Sequence, residues 1–433
     1  MLSHSFIRYF VLLFLIGLSS CQNQIKTNGD LPDLPYIKML KTNDNTKYLY
    51  ASEFISDIEY VPLETSTECL IGGVYSINIS DNYIFVSAEP SCLLFSRQGK
   101  FIRHIGNKGN GPGDFLIVKN VKIDEESGMV YLLSNHKLIA YNISGEFVKS
   151  LDISEFRNVS GICIYNAFHW RSELFCAPVD LNSGKELYSF VVFTLDGDII
   201  KLFPNYETIN NKDGYWSGGY ADFRNYNELI CFNSTNPDTL FRLTEQLDFT
   251  PEVFVDMCEQ GMTKDDFANF DIVSNKRFFE IIKFYEVGNY ILFDYLLPET
   301  NSIGVNKTQH CFYNRNNNNL IFAKGDLHAK HEILIPPGII KKASAGEKIT
   351  NFVSGFINDI DGGIPFWGSR NASIQNRQQL VNISQPSFLI KMLTEEYFSE
   401  HKIKDIQAHE RLKKLLDNLD EDDNPVLKIA TFK

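Results

Sequence analysis

The chain has 433 residues, 44% of them apolar, enough to bury a large core without disulfides or a metal. Lysine and arginine total 41 against 54 acidic residues, a formal charge of −13, which argues against a nucleic-acid partner because phosphate binding needs a basic face. Aromatic residues make up 13% and glycines number 27, a balance that favours strands joined by tight turns.

Residues 1–20 read MLSHSFIRYFVLLFLIGLSS, with Arg8 as the one formally charged side chain and an apolar run over 9–18. That run is too short for a permanent bilayer helix, which takes about 20 residues, and it fits the apolar part of a secretory signal. It ends in Leu18-Ser19-Ser20-Cys21, which resembles the bacterial lipobox. The resemblance implies cleavage before Cys21, acylation of its sulfur, and attachment to the cell envelope, the outer membrane foremost. Residues 21–51 then read as the lipid-anchored N-terminus and a flexible tether. With Cys21 set aside, seven cysteines remain, an odd number without C-x-x-C spacing. Cys92, Cys163, Cys176, Cys231 and Cys311 sit in apolar strand-like runs and are expected as buried thiols.

An internal repeat follows. Residues 83–105 and 129–151 align without a gap at an offset of 46: Phe85 with Tyr131, Phe95 with Tyr141, Gly99 with Gly145, Phe101 with Phe147. Each copy holds short strand-like runs, the last two joined by a turn whose glycine supplies positive φ. Phe193 and Gly197 repeat the signature, Phe241 marks a copy without the glycine, and a copy over 290–322 puts Asn317 in the glycine's place. A sixth copy is expected around 352–390. Such repeats cannot each bury two faces alone, and a closed ring of them can. The spacing therefore predicts an all-β fold, a six-bladed β-propeller over 52–390, with residues 54–63 as a strand closing the ring. Apolar residues at helical spacing over 387–418 predict a helical segment, so 391–433 is expected as a helical C-terminal tail packed on the propeller.

Three motifs carry a family likeness: Tyr60-Val-Pro-Leu-Glu-Thr65 before Cys69-Leu-Ile-Gly72; Phe95-x-x-x-Gly99 running through Gly106 into Gly109-Asn-Gly-Pro-Gly-Asp-Phe115; and Asn358-Asp-Ile-Asp-Gly-Gly-Ile-Pro-Phe-Trp367. Together they resemble the bacterial six-bladed β-propeller lipoproteins with NHL-like repeats. The resemblance implies fold and envelope location, and little chemistry.

Among motifs that bear on chemistry, the glycines between Gly106 and Gly113 lack the Lys-Ser/Thr of a phosphate loop and are expected as a tight inter-blade connection. Asn358, Asp359 and Asp361 before Gly362-Gly363 offer oxygens to a Ca²⁺ ion, although the EF-hand spacing is missing and turn capping explains the same residues. No other cofactor is expected. Tyr215, Trp216 and Tyr220 in an inserted loop, and His169 and Trp170, are candidate ligand contacts, with burial in the fold's own core as the competing account. The leading expectation is a non-enzymatic binding or interaction module for a peptide, glycan or partner protein of the envelope. The alternative is a metal-dependent propeller hydrolase or lyase with its site at the central channel.

Overall fold

A computed structural model of the chain describes residues 34–88, 91–134, 136–160, 164, 168–171, 173–179, 186–205, 229–231, 239–257, 261, 280–296, 308–324, 330–334, 348–352 and 355–433. Within it, Tyr36–Lys433 form one compact unit. Four strands precede the first repeat: β1 (Tyr36–Lys38), β2 (Thr46–Lys47), β3 (Leu49–Tyr50) and, after the short helix α1 (Ala51–Phe54), β4 (Ile55–Pro62). All four serve sheets completed much later in the chain.

The repeats fold as antiparallel sheets. The first holds β5 (Val74–Ile79), β6 (Tyr83–Ala88), β7 (Cys92–Ser96) and β8 (Phe101–Ile105). The second holds β9 (Val118–Asp124), β10 (Met129–Ser134), β11 (Lys137–Asn142) and β12 (Phe147–Asp152). After helix α2 (Glu155–Ser160), the third holds β13 (Phe168–Arg171), β14 (Leu174–Pro178), β15 (Tyr188–Thr194) and β16 (Ile199–Pro204). The fourth joins β17 (Leu229–Cys231), β18 (Thr239–Leu243) and β19 (Phe249–Asp256), with β1 added parallel to β19. The fifth joins β20 (Glu280–Val287), β21 (Tyr290–Leu296), β22 (Thr308–Asn314) and β23 (Asn319–Ala323), with β2 parallel to β23. A hairpin of β24 (Lys330–Leu334) and β25 (Lys348–Phe352) follows, and β26 (Phe356–Ile357) pairs with β3. Strand β27 (Ala372–Ile374) runs parallel to β5. Then come β28 (Gln379–Ser384), the helices α3 (Pro386–Met392), α4 (Glu395–Glu400) and α5 (Ile406–Leu416), and β29 (Val426–Phe432). The last sheet has the order β28-β29-β4, so the N-terminal strand and the C-terminal strand pair antiparallel. Val426–Phe432, inside the stretch read as helical, is thus a strand; its run VLKIATF is rich in apolar and β-branched residues and almost wholly buried.

The repeated turn has one geometry. Gly99, Gly145 and Gly197 all have φ between 81° and 89°, and each follows a register irregularity at the preceding aromatic residue. The same pair of backbone hydrogen bonds recurs, as in Ser96 N to Lys100 O and Gly99 N to Ser96 O. In the fourth sheet Thr244 N to Asp248 O and Leu247 N to Thr244 O reproduce it, with Leu247 at φ 60°. The turn therefore aligns Leu243, not Phe241, with Phe95, Tyr141 and Phe193. In the fifth sheet the positive φ falls on Asn318 rather than Asn317, because Asn314 pairs with Asn319 across a longer turn.

Successive residues of a strand point to opposite faces, and here both faces are buried. Phe85, Leu94, Val121 and Leu132 pack the first sheet on the second. Tyr131, Leu138, Phe175 and Phe193 pack the second on the third. Phe190, Val192 and Leu243 pack the third on the fourth. Leu240, Val253, Phe284 and Phe293 pack the fourth on the fifth. Leu292, Phe312, Leu380 and Phe432 pack the fifth on the β28-β29-β4 sheet, and Val381, Leu427, Ile77 and Phe95 pack that sheet on the first. Two faces at work explain why these strands read as continuous apolar runs. Each fully buried phenylalanine contributes roughly 1.5–3 kcal/mol.

Polar clasps follow the same order along the outer strands. Glu59 on β4 pairs with Arg97 in the first repeated turn at 2.8 Å. Arg103 donates to Ser144 O, Lys149 pairs with Asp196, and Lys201 pairs with Asp248 at 2.6 Å. Glu252 then lies 3.9 Å from Arg315, with the charges reversed. The pairs Lys149–Asp196 and Lys201–Asp248 are largely exposed, so each is worth under about 1 kcal/mol.

Candidate functional site

The glycine-rich stretch after β8 is a packed connection. A Cβ at Gly106 would stand 2.5 Å from the Tyr141 hydroxyl, and one at Gly113 would stand 2.8 Å from the Phe147 ring. The Asp114 carboxylate accepts from Gly111 N at 2.8 Å, and Lys137 Nζ donates to Gly111 O at 2.9 Å. The amides of Gly109, Gly111, Asp114 and Phe115 are engaged within the loop.

Asn358, Asp359 and Asp361 are all buried. Asp359 accepts from Ser52 N at 2.9 Å and Ser52 Oγ at 2.7 Å, and pairs with Lys404 at 2.8 Å. Burial alone would raise its pKa; Lys404 and Ser52 outweigh that and hold it below the usual value. Asp361 Oδ1 accepts from Asn358 Nδ2 at 2.6 Å and Gly363 N at 2.8 Å. Burial raises the Asp361 pKa, against the pull of Lys428. Lys428 is itself buried, donates to Ile364 O at 2.9 Å and lies over the Phe366 ring; desolvation pushes its pKa down to about 8. His409 Nδ1 meets Asp361 O at 2.7 Å. Asp359 is thus held by Ser52 of α1 and by Lys404 just before α5, Asp361 Oδ1 by Asn358 and Gly363 within the motif, and the contact of His409 on α5 with the Asp361 backbone ties the helical segment to the sheet. Among the described residues no group of three His, Cys, Asp or Glu side chains is placed to hold a metal.

The helices beside this motif start on capping side chains. Thr394 accepts from Tyr397 N ahead of α4, and Asp405 accepts from Ala408 N at 3.0 Å ahead of α5.

A different constellation stands on the fifth sheet. Strand register places Lys283, Asp294 and His310 in one row across β20, β21 and β22. The neighbouring row on the same face holds the apolar pair Leu292 and Phe312. Where that apolar face ends, charge begins. The Asp294 carboxylate, 3% exposed, meets His310 Nδ1 at 2.9 Å and Arg370 Nε at 3.3 Å. Arg370 also donates to Thr308 Oγ1 at 2.8 Å, and Lys283 Nζ donates to Arg370 O at 3.1 Å. The Tyr285 hydroxyl lies 3.3 Å from Asp294 Oδ2 and 2.9 Å from Gly368 O. The His310 ring stacks on Trp367, centroids 4.7 Å apart, and Trp367 stacks in turn on Phe356. Among the described residues the buried Trp367 indole N–H has no hydrogen-bond partner, whereas the Arg370 side chain is 51% exposed.

Sequence reasoning missed this cluster. Its available signal was an acid inside the apolar run YILFDYL, opposite a histidine beside Cys311. Of the candidates named from sequence, Tyr215, Trp216, Tyr220 and Cys21 lie outside the described residues. His169 and Trp170 lie on β13, where His169 pairs with Phe175 and the register shifts before Arg171; their side chains are outside the described set. Cys92, Cys176 and Cys311 are free and buried, and desolvation raises each thiol, Cys92 to about 12. They are inert packing residues.

Repeated antiparallel sheets packed face to face in chain order, with few helices, define a propeller-like all-β protein. The chain belongs to the family described as Domain of unknown function (DUF4934), whose model matches residues 34–431. The fold is similar to that of a presumed exported protein of Bacteroides fragilis, at TM-score 0.56 and 15% identity, covering 92% of this chain and 99% of that one. Looser likenesses are to the Pan2 WD40 domain of Neurospora crassa (TM-score 0.35, 11% identity, 64% of this chain and 73% of that) and to a TolB-like protein of Agrobacterium tumefaciens (0.33, 12%, 62% and 88%). No curated protein matches the sequence. Among the described residues no helix is long and apolar enough to cross a membrane.

Proposed function

We propose that this chain is a six-bladed, NHL-like propeller lipoprotein, anchored through acylated Cys21, that serves as a binding module in the cell envelope. The cyclic order of apolar clusters, returning from the β28-β29-β4 sheet to the first, supports six blades. The observation that carries the binding role is the Asp294–His310–Arg370 cluster. One buried carboxylate holds a histidine and a half-exposed guanidinium in place, so a ligand meets polar groups already ordered. Tyr215, Trp216, Tyr220, His169 and Trp170 are the further ligand contacts in this reading.

Fractionation of cells producing the wild type and Cys21→Ser tests the anchor. The wild type is expected in the outer-membrane fraction with an acylated N-terminal cysteine by mass spectrometry, and the variant is expected in the soluble fraction. A wild-type N-terminus elsewhere than Cys21, or a bare thiol there, refutes the proposal.

A further inference from the structure

Strand β1 begins at Tyr36, soon after Cys21 in the chain, and forms the outer edge of the fourth sheet. Parallel pairing with Phe254, Val255 and Asp256 holds it there, and Met39 N donates to Asp256 O at 2.7 Å. Ile37 and Met39 are 1% and 4% exposed and pack between the fourth and fifth sheets. Side chains of a strand alternate, so Tyr36 and Lys38 face outward, opposite Ile37. Leu40 and Lys41, directly after the strand, are exposed as well. Tyr36 is 55% exposed and Leu40 46%. The segment is ordered at both ends. The Tyr36 ring stacks on Phe254 and its hydroxyl donates to Asp256, while Asn45 Nδ2 donates to Leu40 O at 2.8 Å and Asn45 Oδ1 accepts from Thr42 N at 2.7 Å.

A tyrosine, a leucine and two lysines, all outward within six consecutive residues, suit the boundary of an anionic bilayer. There the ring and the leucine enter the headgroup region and the ammonium groups meet lipid phosphates. Residues 36–47, YIKMLKTNDNTK, carry lysines at 38, 41 and 47 against the single acid Asp44, within a chain of net charge −13. Residues 22–35 reach at most about 50 Å when extended, so an acylated Cys21 would keep this segment at high local concentration near the membrane. A contact too weak to recruit a free protein then suffices. We propose, resting on the Cys21 anchor above, that the exposed side of Tyr36–Lys41 docks on the anionic bilayer surface that carries the anchor. Tyr36 and Leu40 supply the apolar contact, and Lys38 and Lys41 the charge.

The test is cosedimentation of the purified chain 21–433 carrying Cys21→Ser, which has no acyl group, with lipid vesicles. At millimolar lipid, vesicles of phosphatidylglycerol and phosphatidylethanolamine are expected to carry the protein down. Vesicles of phosphatidylcholine alone are expected to carry down at least about tenfold less. Lys38→Glu combined with Lys41→Glu should weaken partition into the anionic vesicles at least about tenfold, with little change in melting temperature, because both residues are exposed. Lys38→Arg combined with Lys41→Arg should retain it. Leu40→Trp bound to anionic vesicles should be quenched by brominated lipid more strongly than the wild type. No partition, equal partition into neutral vesicles, partition unchanged by charge reversal, or Leu40→Trp quenched no more than the wild type overturns the proposal. Acylation of Cys21 is decided by the mass of the N-terminus and not by these vesicles, so the two proposals fail separately.

Discussion

Replacing Gly99 by alanine separates two costs that the repeated turn otherwise combines. An added Cβ at Gly145, φ 88°, would meet its nearest neighbour at 3.5 Å, an ordinary contact. Gly145→Ala therefore carries backbone strain alone, roughly 1–2 kcal/mol for a left-handed residue, offset by about 0.5–1 kcal/mol of unfolded-chain entropy. At Gly99, φ 81°, the same atom would stand 2.2 Å from Pro62 O and 3.1 Å from Val61 Cγ1. Pro62 cannot retreat freely. It pairs with Val426 on β29, and the next residues are tied by Leu63 N to Pro425 O at 3.2 Å and Glu64 N to Gly99 O at 2.8 Å. Moving that carbonyl by about 1 Å is overpacking, worth roughly a further 1–3 kcal/mol. Gly99→Ala is expected to cost about 1–4 kcal/mol, at least about 1 kcal/mol more than Gly145→Ala. Urea unfolding followed by tryptophan fluorescence and circular dichroism measures both. Equal losses at the two sites would refute the claim that the first repeated turn is wedged against the N-terminal strand.

Three further outcomes follow from the geometry. Lys428 has a folded pKa near 8, below its unfolded value, so its charged form penalises the native state in full below about pH 8. That penalty is relieved as pH rises from 8 toward 10.5, and the unfolding free energy of the wild type should climb relative to Lys428→Met over pH 8–10, by about 1–3 kcal/mol; parallel profiles would contradict it. Leu247 adopts φ 60° while packing against the cluster of Phe190 and Leu243. Relief of strain in Leu247→Gly should largely offset the lost packing, for a change under about 1 kcal/mol in urea unfolding, and a loss above about 2 kcal/mol would show that packing dominates. Lys201→Ala should cost under about 1 kcal/mol, less still in molar salt, because Asp248 across the clasp is 70% exposed; a larger, salt-independent loss would make the clasps structural.

The hairpins were legible in the chain because their information is local. An aromatic residue four positions before glycine specifies a turn whose glycine needs positive φ, and the structure shows that turn at Gly99, Gly145 and Gly197. Where the glycine is missing the signal failed by two residues: Phe241 was chosen where the turn aligns Leu243, since hydrogen bonds and not ring identity define the bend. Buried thiols were legible for the same reason, at Cys92, Cys176 and Cys311.

What only the tertiary structure decided involves partners far apart in sequence. Asp359 is held by Ser52 and Lys404, each far from it in sequence. Val426–Phe432 looked like the end of a tail until β4 and β28 gave it two neighbours. Asp294, His310 and Arg370 come from two strands and a distant loop, and no spacing announces them. Turn conformation is set by a few adjacent φ/ψ choices and can be read residue by residue. A buried charge is tolerated only by the countercharge that folding brings to it, and that partner is chosen by the packing of whole sheets.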